Sequence, residues 1–173
     1  IIAINSMNDD VEVTKNYFIP FDEARVDVNI EYFFKKKTDL INMRTFNLTI
    51  NPEAFDETSL YYETNNGGYD VERLFFKKQK VNHGAPVELH ITASTCSGST
   101  EGVFSIGDHE KKIIITSDKS IGYTVPMVHY EPFDKKYFLR IENSILESDE
   151  TVNTKMRGKV KLFFSIRVTK EAI

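Results

Sequence analysis

Four histidines, a single cysteine and 26 acidic residues are the groups able to carry chemistry in this chain of 173 residues. His83, His90, His109 and His129 include no pair at helical spacing, and Cys96 has no second thiol at metal-ligating spacing, so no zinc-type ligand set is predicted. Asp108-His109-Glu110 groups three ligating side chains, but it reads as a solvated turn whose metal would need ligands from elsewhere. Cys96 lies in the polar run Ser94-Thr-Cys-Ser-Gly-Ser-Thr100. A nucleophilic thiol needs a base and an orienting group; His90 is the one nearby base, and the thiol reads as incidental. Ser97 to Gly102 has the composition of a phosphate-cradling loop but lacks the Gly-Lys-Ser/Thr ending and the helix after it. Carboxylates paired across different strands leave no mark in a sequence. No catalytic residue, metal or cofactor is therefore expected, and the chain is read as non-enzymatic.

The elements that would position any site are strands. In Gly158-Lys-Val-Lys-Leu-Phe-Phe-Ser-Ile-Arg-Val-Thr169, the side chains of Val160, Leu162, Phe164, Ile166 and Val168 recur at every second residue. A period of two places all five on one face of an extended strand. Arg25 to Phe34 repeats the pattern with Val26, Val28, Ile30, Tyr32 and Phe34, followed by a polar turn from Lys35 to Asp39. Val11 to Ile19 alternates with Val11, Val13, Tyr17 and Ile19 on one face, Lys15 interrupting, and Pro20 closing the run. Further strands are predicted over 43–50, 86–93, 103–106, 112–116, 121–130 and 136–142, and one helical turn over 52–56. Asn65-Asn66-Gly67-Gly68, between Leu60-Tyr61-Tyr62 and Tyr69 to Phe76, predicts a hairpin, because Asn-Gly tolerates the positive φ of a tight turn. No helical period lasts three turns and no strand–helix alternation is present, so the expectation is all-β: a single immunoglobulin-like β-sandwich of residues 21–173 preceded by a segment of residues 1–20.

A net charge of −4 argues against phosphate neutralisation as a binding mode, so nucleic acid is not a predicted partner. Lys35-Lys36-Lys37 and Lys77-Lys78 read as strand-end protection. One cysteine excludes an intrachain disulfide. No apolar run reaches the length of a membrane helix. The chain opens Ile1-Ile2-Ala3-Ile4, suggesting a processed N-terminus such as removal of a signal peptide would leave. Asn47-Leu48-Thr49 fits a glycosylation acceptor but falls inside a predicted strand and reads as unmodified. Tyr61, Tyr62 and Tyr69 are a candidate ligand face, with core packing as the alternative.

An alternating opening segment that stops at a proline, Val11 to Pro20, and a closing loop, glycine and alternating strand, Thr154 to Ile166, resemble the ends of chaperone–usher pilus subunits of the colonisation-factor type. The resemblance implies an incomplete sandwich completed by strand addition from a neighbour. Val11, Val13, Tyr17 and Ile19 would be the donor strand, with Ile1, Ile2 and Ile4 as alternative plugs. Val160, Leu162, Phe164, Ile166 and Val168 would line the acceptor groove. The implied partners are neighbouring pilus subunits, a periplasmic chaperone and usher, and a host-surface receptor. The implied location is a cell-surface fimbria, and the implied role is structural and adhesive. Residues 11–19 pairing within their own chain is the competing expectation. A viral or phage jelly-roll structural protein and a secreted ligand-binding sandwich module are the alternatives in function.

Overall fold

A computed structural model describes residues 1–40, 42–65, 67–81, 99, 101–134, 136–147 and 154–170. Among these residues every regular element is a strand, eleven in chain order: β1 (Ile2–Met7), β2 (Val11–Phe18), β3 (Arg25–Leu40), β4 (Asn42–Ile50), β5 (Tyr61–Thr64), β6 (Glu72–Phe75), β7 (Val103–Gly107), β8 (Lys111–Ser117), β9 (Val125–Pro132), β10 (Tyr137–Glu147) and β11 (Thr154–Lys170). They form an eight-stranded sheet of order β1-β2-β3-β11-β8-β7-β5-β6 and a three-stranded sheet of order β4-β10-β9. All pairings are antiparallel. The all-β expectation stands at this level.

The core lies between the sheets. Val28, Ile30 and Phe34 from β3, Phe104 and Ile106 from β7, and Leu162 and Phe164 from β11 meet Val128, Tyr130, Leu139 and Ile141 from the small sheet. Phe46 stacks on Phe164 at 5.1 Å and Phe76 packs tilted against Tyr130 at 4.5 Å, so aromatic rings bridge the layers. Burying a side chain such as Phe164 or Leu162 contributes about 1.5–3 kcal/mol.

Alternation locates the strands, but their lengths exceed the prediction. The supposed turn from Lys35 to Asp39 continues β3 to Leu40, because β11 runs alongside it from Lys155↔Asp39 to Arg167↔Arg25. Backbone pairing outweighs the weak strand preference of three lysines. A register shift at Gly158, whose φ is +86°, lets β11 bend within that long pairing. The five alternating residues of β11 do not share one environment: Leu162 and Phe164 are buried, Val160 and Ile166 half-buried, and Val168 exposed. The hairpin is present as β5 and β6, closed by the longer connection 65–71. In place of the predicted helical turn, residues 52–53 form a turn and 54–55 a bend, with Ala54 N–H donating to Asn51 O. The strand predicted over 86–93, His83, His90 and Cys96 lie outside the described residues.

Residues 11–18 pair along their whole length with β3 of the same chain, from Val11↔Phe34 to Phe18↔Asp27. β11 is bordered by β3 over 154–167 and by β8 over 164–170. Where β8 has ended, Asp118 N–H still donates to Phe163 O.

Candidate functional site

Among the described residues, the face of the small sheet turned away from the core brings together several titratable side chains, two of which, His129 and Arg140, hold buried atoms without a hydrogen-bond partner. Its placement follows from strand alternation. Leu139 and Ile141 of β10, with Val128 and Tyr130 of β9, point into the core, so Phe138, Arg140 and Glu142, with His129 and Glu131, point outward. The register sets Arg140 opposite His129 and Phe138 opposite Glu131, and β4 brings Arg44 to the same face.

Polar and charged contacts run across this face in a row. Lys80 Nζ lies 2.8 Å from Glu131 Oε1, and Glu131 Oε2 lies 3.8 Å from His129 Nε2. Arg140 Nη2 is 2.6 Å from Glu142 Oε1, and Arg44 Nη1 is 2.8 Å from Glu142 Oε2. The Glu142 side chain is 6% exposed. A carboxylate buried to this degree is tolerable because each oxygen meets a guanidinium. Phe138 forms the apolar part of the face. The His129 ring meets its edge at 5.0 Å, and the Arg140 guanidinium lies 5.6 Å from its centre.

Two atoms here are out of balance. His129 Nε2 and Arg140 Nε are buried and have no hydrogen-bond partner, a condition native structures seldom leave without a reason. Burial, then the positive Arg140, depress the His129 pKa below the ordinary imidazole value, so the ring is neutral at neutral pH and one nitrogen keeps its lone pair. The hydrogen bond from Lys80, ahead of the other influences, holds the Glu131 carboxyl below the usual carboxylate range. Chemically this is a neutral base beside a carboxylate that would stabilise its protonated form, with guanidinium donors adjacent. The sequence shows His129, Arg140 and Glu142 as polar positions of alternating strands; only the register brings them together.

Two other clusters are satisfied internally. On the outer face of the large sheet, Glu63 accepts from Arg73 Nε at 2.9 Å and Nη2 at 2.6 Å, from Ser105 Oγ at 3.0 Å and from Lys112 Nζ at 3.3 Å. At the β7–β8 turn, Asp108 Oδ1 accepts from Glu110 and Lys111 N–H, and Oδ2 from Asp56 N–H. Burial alone would raise the Asp108 pKa; these three donors outweigh it and hold the carboxyl low. Asp108-His109-Glu110 is thus a turn-closing motif, and no group of three or more metal-ligating side chains occurs among the described residues.

The residues singled out from the sequence are dispersed. Val11, Val13 and Tyr17 pack partly against the core, while Ile19 lies exposed beyond the end of β2. Tyr61 is buried on the outer face beneath Arg73, whose Cζ is 4.0 Å from the ring centre. Tyr62 packs on Phe76 and Phe104 on the core side, and Tyr69 is fully exposed in the connection after β5.

No protein-family model matches the chain, and no curated protein matches it. Solved structures similar to it include a candidate aldose 1-epimerase from Escherichia coli K12, at 11% identity and a TM-score of 0.44, covering 98% of this chain and 68% of that one. A candidate mutarotase, YeaD, from Salmonella typhimurium aligns at 11% identity and a TM-score of 0.48, covering 98% of this chain and 59% of that one. Neither is a pilin. With this finding, the pilus-subunit resemblance, the structural and adhesive role, the fimbrial cell-surface location and the reading as a non-enzyme are corrected. The jelly-roll structural protein and the secreted binding module gain no support either. The physical source of the error is local patterning: terminal alternation is equally the mark of strands paired in their own chain, as β2 and β11 are. No helix of the described residues is long and apolar enough to cross a membrane.

Proposed function

We propose that the outer face of β9 and β10 is an acid–base centre that moves a proton on a small hydroxylated substrate, with His129 as the base. One observation carries this reading: His129 Nε2 is buried, lacks a hydrogen-bond partner and belongs to a ring held neutral, 3.8 Å from the Glu131 carboxylate. A neutral imidazole has a lone pair with which to accept a proton, as general-base catalysis requires. Glu131, fixed by Lys80, stabilises the imidazolium once the proton arrives. Arg140, held by Glu142, offers a donor to the negative charge that develops on the substrate oxygen. Phe138 provides a flat apolar wall for the carbon–hydrogen face of a ring.

An aldose is the first substrate to test, because interconversion of its anomers needs only these groups. His129 takes the proton from the anomeric hydroxyl, the bond from the anomeric carbon to the ring oxygen breaks, and the imidazolium passes that same proton to the ring oxygen, leaving the open-chain aldehyde and a neutral imidazole. The open carbonyl turns and recloses by the reverse steps, with no net oxidation. The two-sheet sandwich is the scaffold required; an immunoglobulin-like strand order is not, since the site needs only β9 beside β10.

Polarimetry on freshly dissolved single anomers of a panel of aldoses tests the proposal. Saturable acceleration over buffer is expected, with His129→Asn lowering it by about 100-fold or more while the circular dichroism spectrum stays unchanged. No acceleration with any aldose, or an undiminished rate in His129→Asn, would sink it.

A further inference from the structure

The four sheet edges differ in how they are closed. β6, at one end of the large sheet, has four residues and carries Glu72 and Arg73. In the small sheet, β9 carries Pro126 and Pro132 and is bridged by Val81 at Tyr130, and β4 carries Arg44 and meets β10 through two register shifts. Charges, prolines, irregularities and short length are the usual guards against edge-to-edge association. β1, the other edge of the large sheet, has none of them. Its sequence, Ile2-Ala3-Ile4-Asn5-Ser6-Met7, holds no charge and no proline, and its register with β2 runs unbroken from Ile2↔Tyr17 to Met7↔Glu12. All six residues are exposed, and the edge facing away from β2 has no strand partner among the described residues.

We propose that β1 pairs with β1 of a second copy of this chain, antiparallel about a two-fold axis, joining two eight-stranded sheets into one. Charge selects this occupant. A two-fold edge places a strand against itself, so any charged residue near the axis would oppose its own copy; an uncharged strand is self-complementary. Lys15, opposite Ile4 on β2, would lie three strand spacings from its copy, about 14 Å, which exceeds the screening length at physiological salt.

The side chains also select the register. Ile2 and Ile4 share the face of Tyr17 and Val13, which pack toward the core, yet Ile2 is 54% and Ile4 52% exposed. Setting Ile4 opposite Ile4 pairs Ile2 with Ser6 and Ala3 with Asn5, and it joins the two isoleucine strips on one face. A closed pair uses both free edges and leaves none to extend, so a dimer and not a fibre results.

A single strand joint of this length lies at the small end of interface sizes, so a dimer dissociating in roughly the micromolar range is expected by analytical ultracentrifugation. Ile4→Lys sets two ammonium groups against each other and should weaken the dimer by roughly 100-fold, leaving the melting temperature of the dilute protein almost unchanged, because Ile4 is half-exposed. In a Cys96→Ser background, Ile4→Cys should cross-link to its copy on oxidation, and Thr14→Cys, one strand further in, should not. A wild-type chain monomeric over the whole concentration range overturns the proposal. So does a dimer indifferent to Ile4→Lys, or one in which Ile4→Cys fails to cross-link. Each outcome is independent of any activity at His129.

Discussion

Glu63 and Glu142 are each a buried glutamate on an outward sheet face, set between two cationic side chains, and their surroundings differ in one respect. Around Glu63 the carboxylate oxygens take hydrogen bonds from Arg73, Ser105 and Lys112. Beside Glu142, the neighbouring His129 Nε2 and Arg140 Nε remain buried without partners. The first arrangement resembles a structural clamp, in which three donor side chains close on one carboxylate. The second keeps polar capacity in reserve at a cost in stability, which is the pattern of a site awaiting a ligand. Composition does not separate the two clusters; the pairing of individual atoms does.

Replacing the central group of each cluster should therefore break different properties. The largest effect expected is on catalysis. His129→Asn lowers anomer interconversion by about 100-fold or more, while its denaturant midpoint shifts little, since it removes no hydrogen bond. Glu63→Ala should do the reverse: about 3 kcal/mol of stability is lost, measured by urea unfolding, because Arg73 and Lys112 lose the carboxylate between them. Equal loss of stability in both variants would erase the distinction between the clusters.

Glu142→Gln tests the boundary. Its oxygen and amide keep the size of the carboxylate but not its charge, so two guanidiniums lose their counter-ion. A loss of about 1–3 kcal/mol is expected, together with a fall in activity as Arg140 loses its anchor. Unchanged activity at reduced stability would place Glu142 with the structural clamps.

The smallest effects concern pH. The folded-state pKa of His129 is depressed, so the unfolded chain binds more protons than the folded one in the interval below the ordinary imidazole value. Stability contributed by this residue is full above that value and declines as pH falls through the interval; activity falls as the ring protonates at its lowered pKa. Asp108 is also depressed, and its contribution disappears at lower pH, as the carboxyl protonates through its folded pKa. Thermal melts of His129→Asn and Asp108→Asn should each flatten one of these two windows and leave the other. If one substitution flattened both, neither residue would be the source.

Much of the fold could be read from local pattern. The alternation of Val26 to Phe34 and of Val160 to Val168 identifies β3 and β11, and Asn65 to Gly68 marks the β5–β6 connection. The extension of β3 through Lys35-Lys36-Lys37 escaped that reading, because its cause is a neighbouring strand far away in sequence, as in Lys155↔Asp39 and Gly158↔Phe34. The candidate site was hardly legible. His129 reads as one polar residue in a strand, and nothing near it in sequence announces Arg140 or Arg44 as its neighbours. The misreading of the chain ends has the same root: alternation shows that a segment is a strand, not which strand lies beside it.

What the sequence determines by itself is therefore the type of element and the face each side chain takes, since a period of two is a property of the extended backbone alone. It dictates that β9 and β10 present His129, Glu131, Phe138, Arg140 and Glu142 opposite to their core residues. The tertiary structure decides who stands next to whom. The register Arg140↔His129, the closing of β11 between β3 and β8, and the unguarded edge of β1 all arise from contacts distant in sequence. These are settled when two sheets close over one core, not by any residue's own preference.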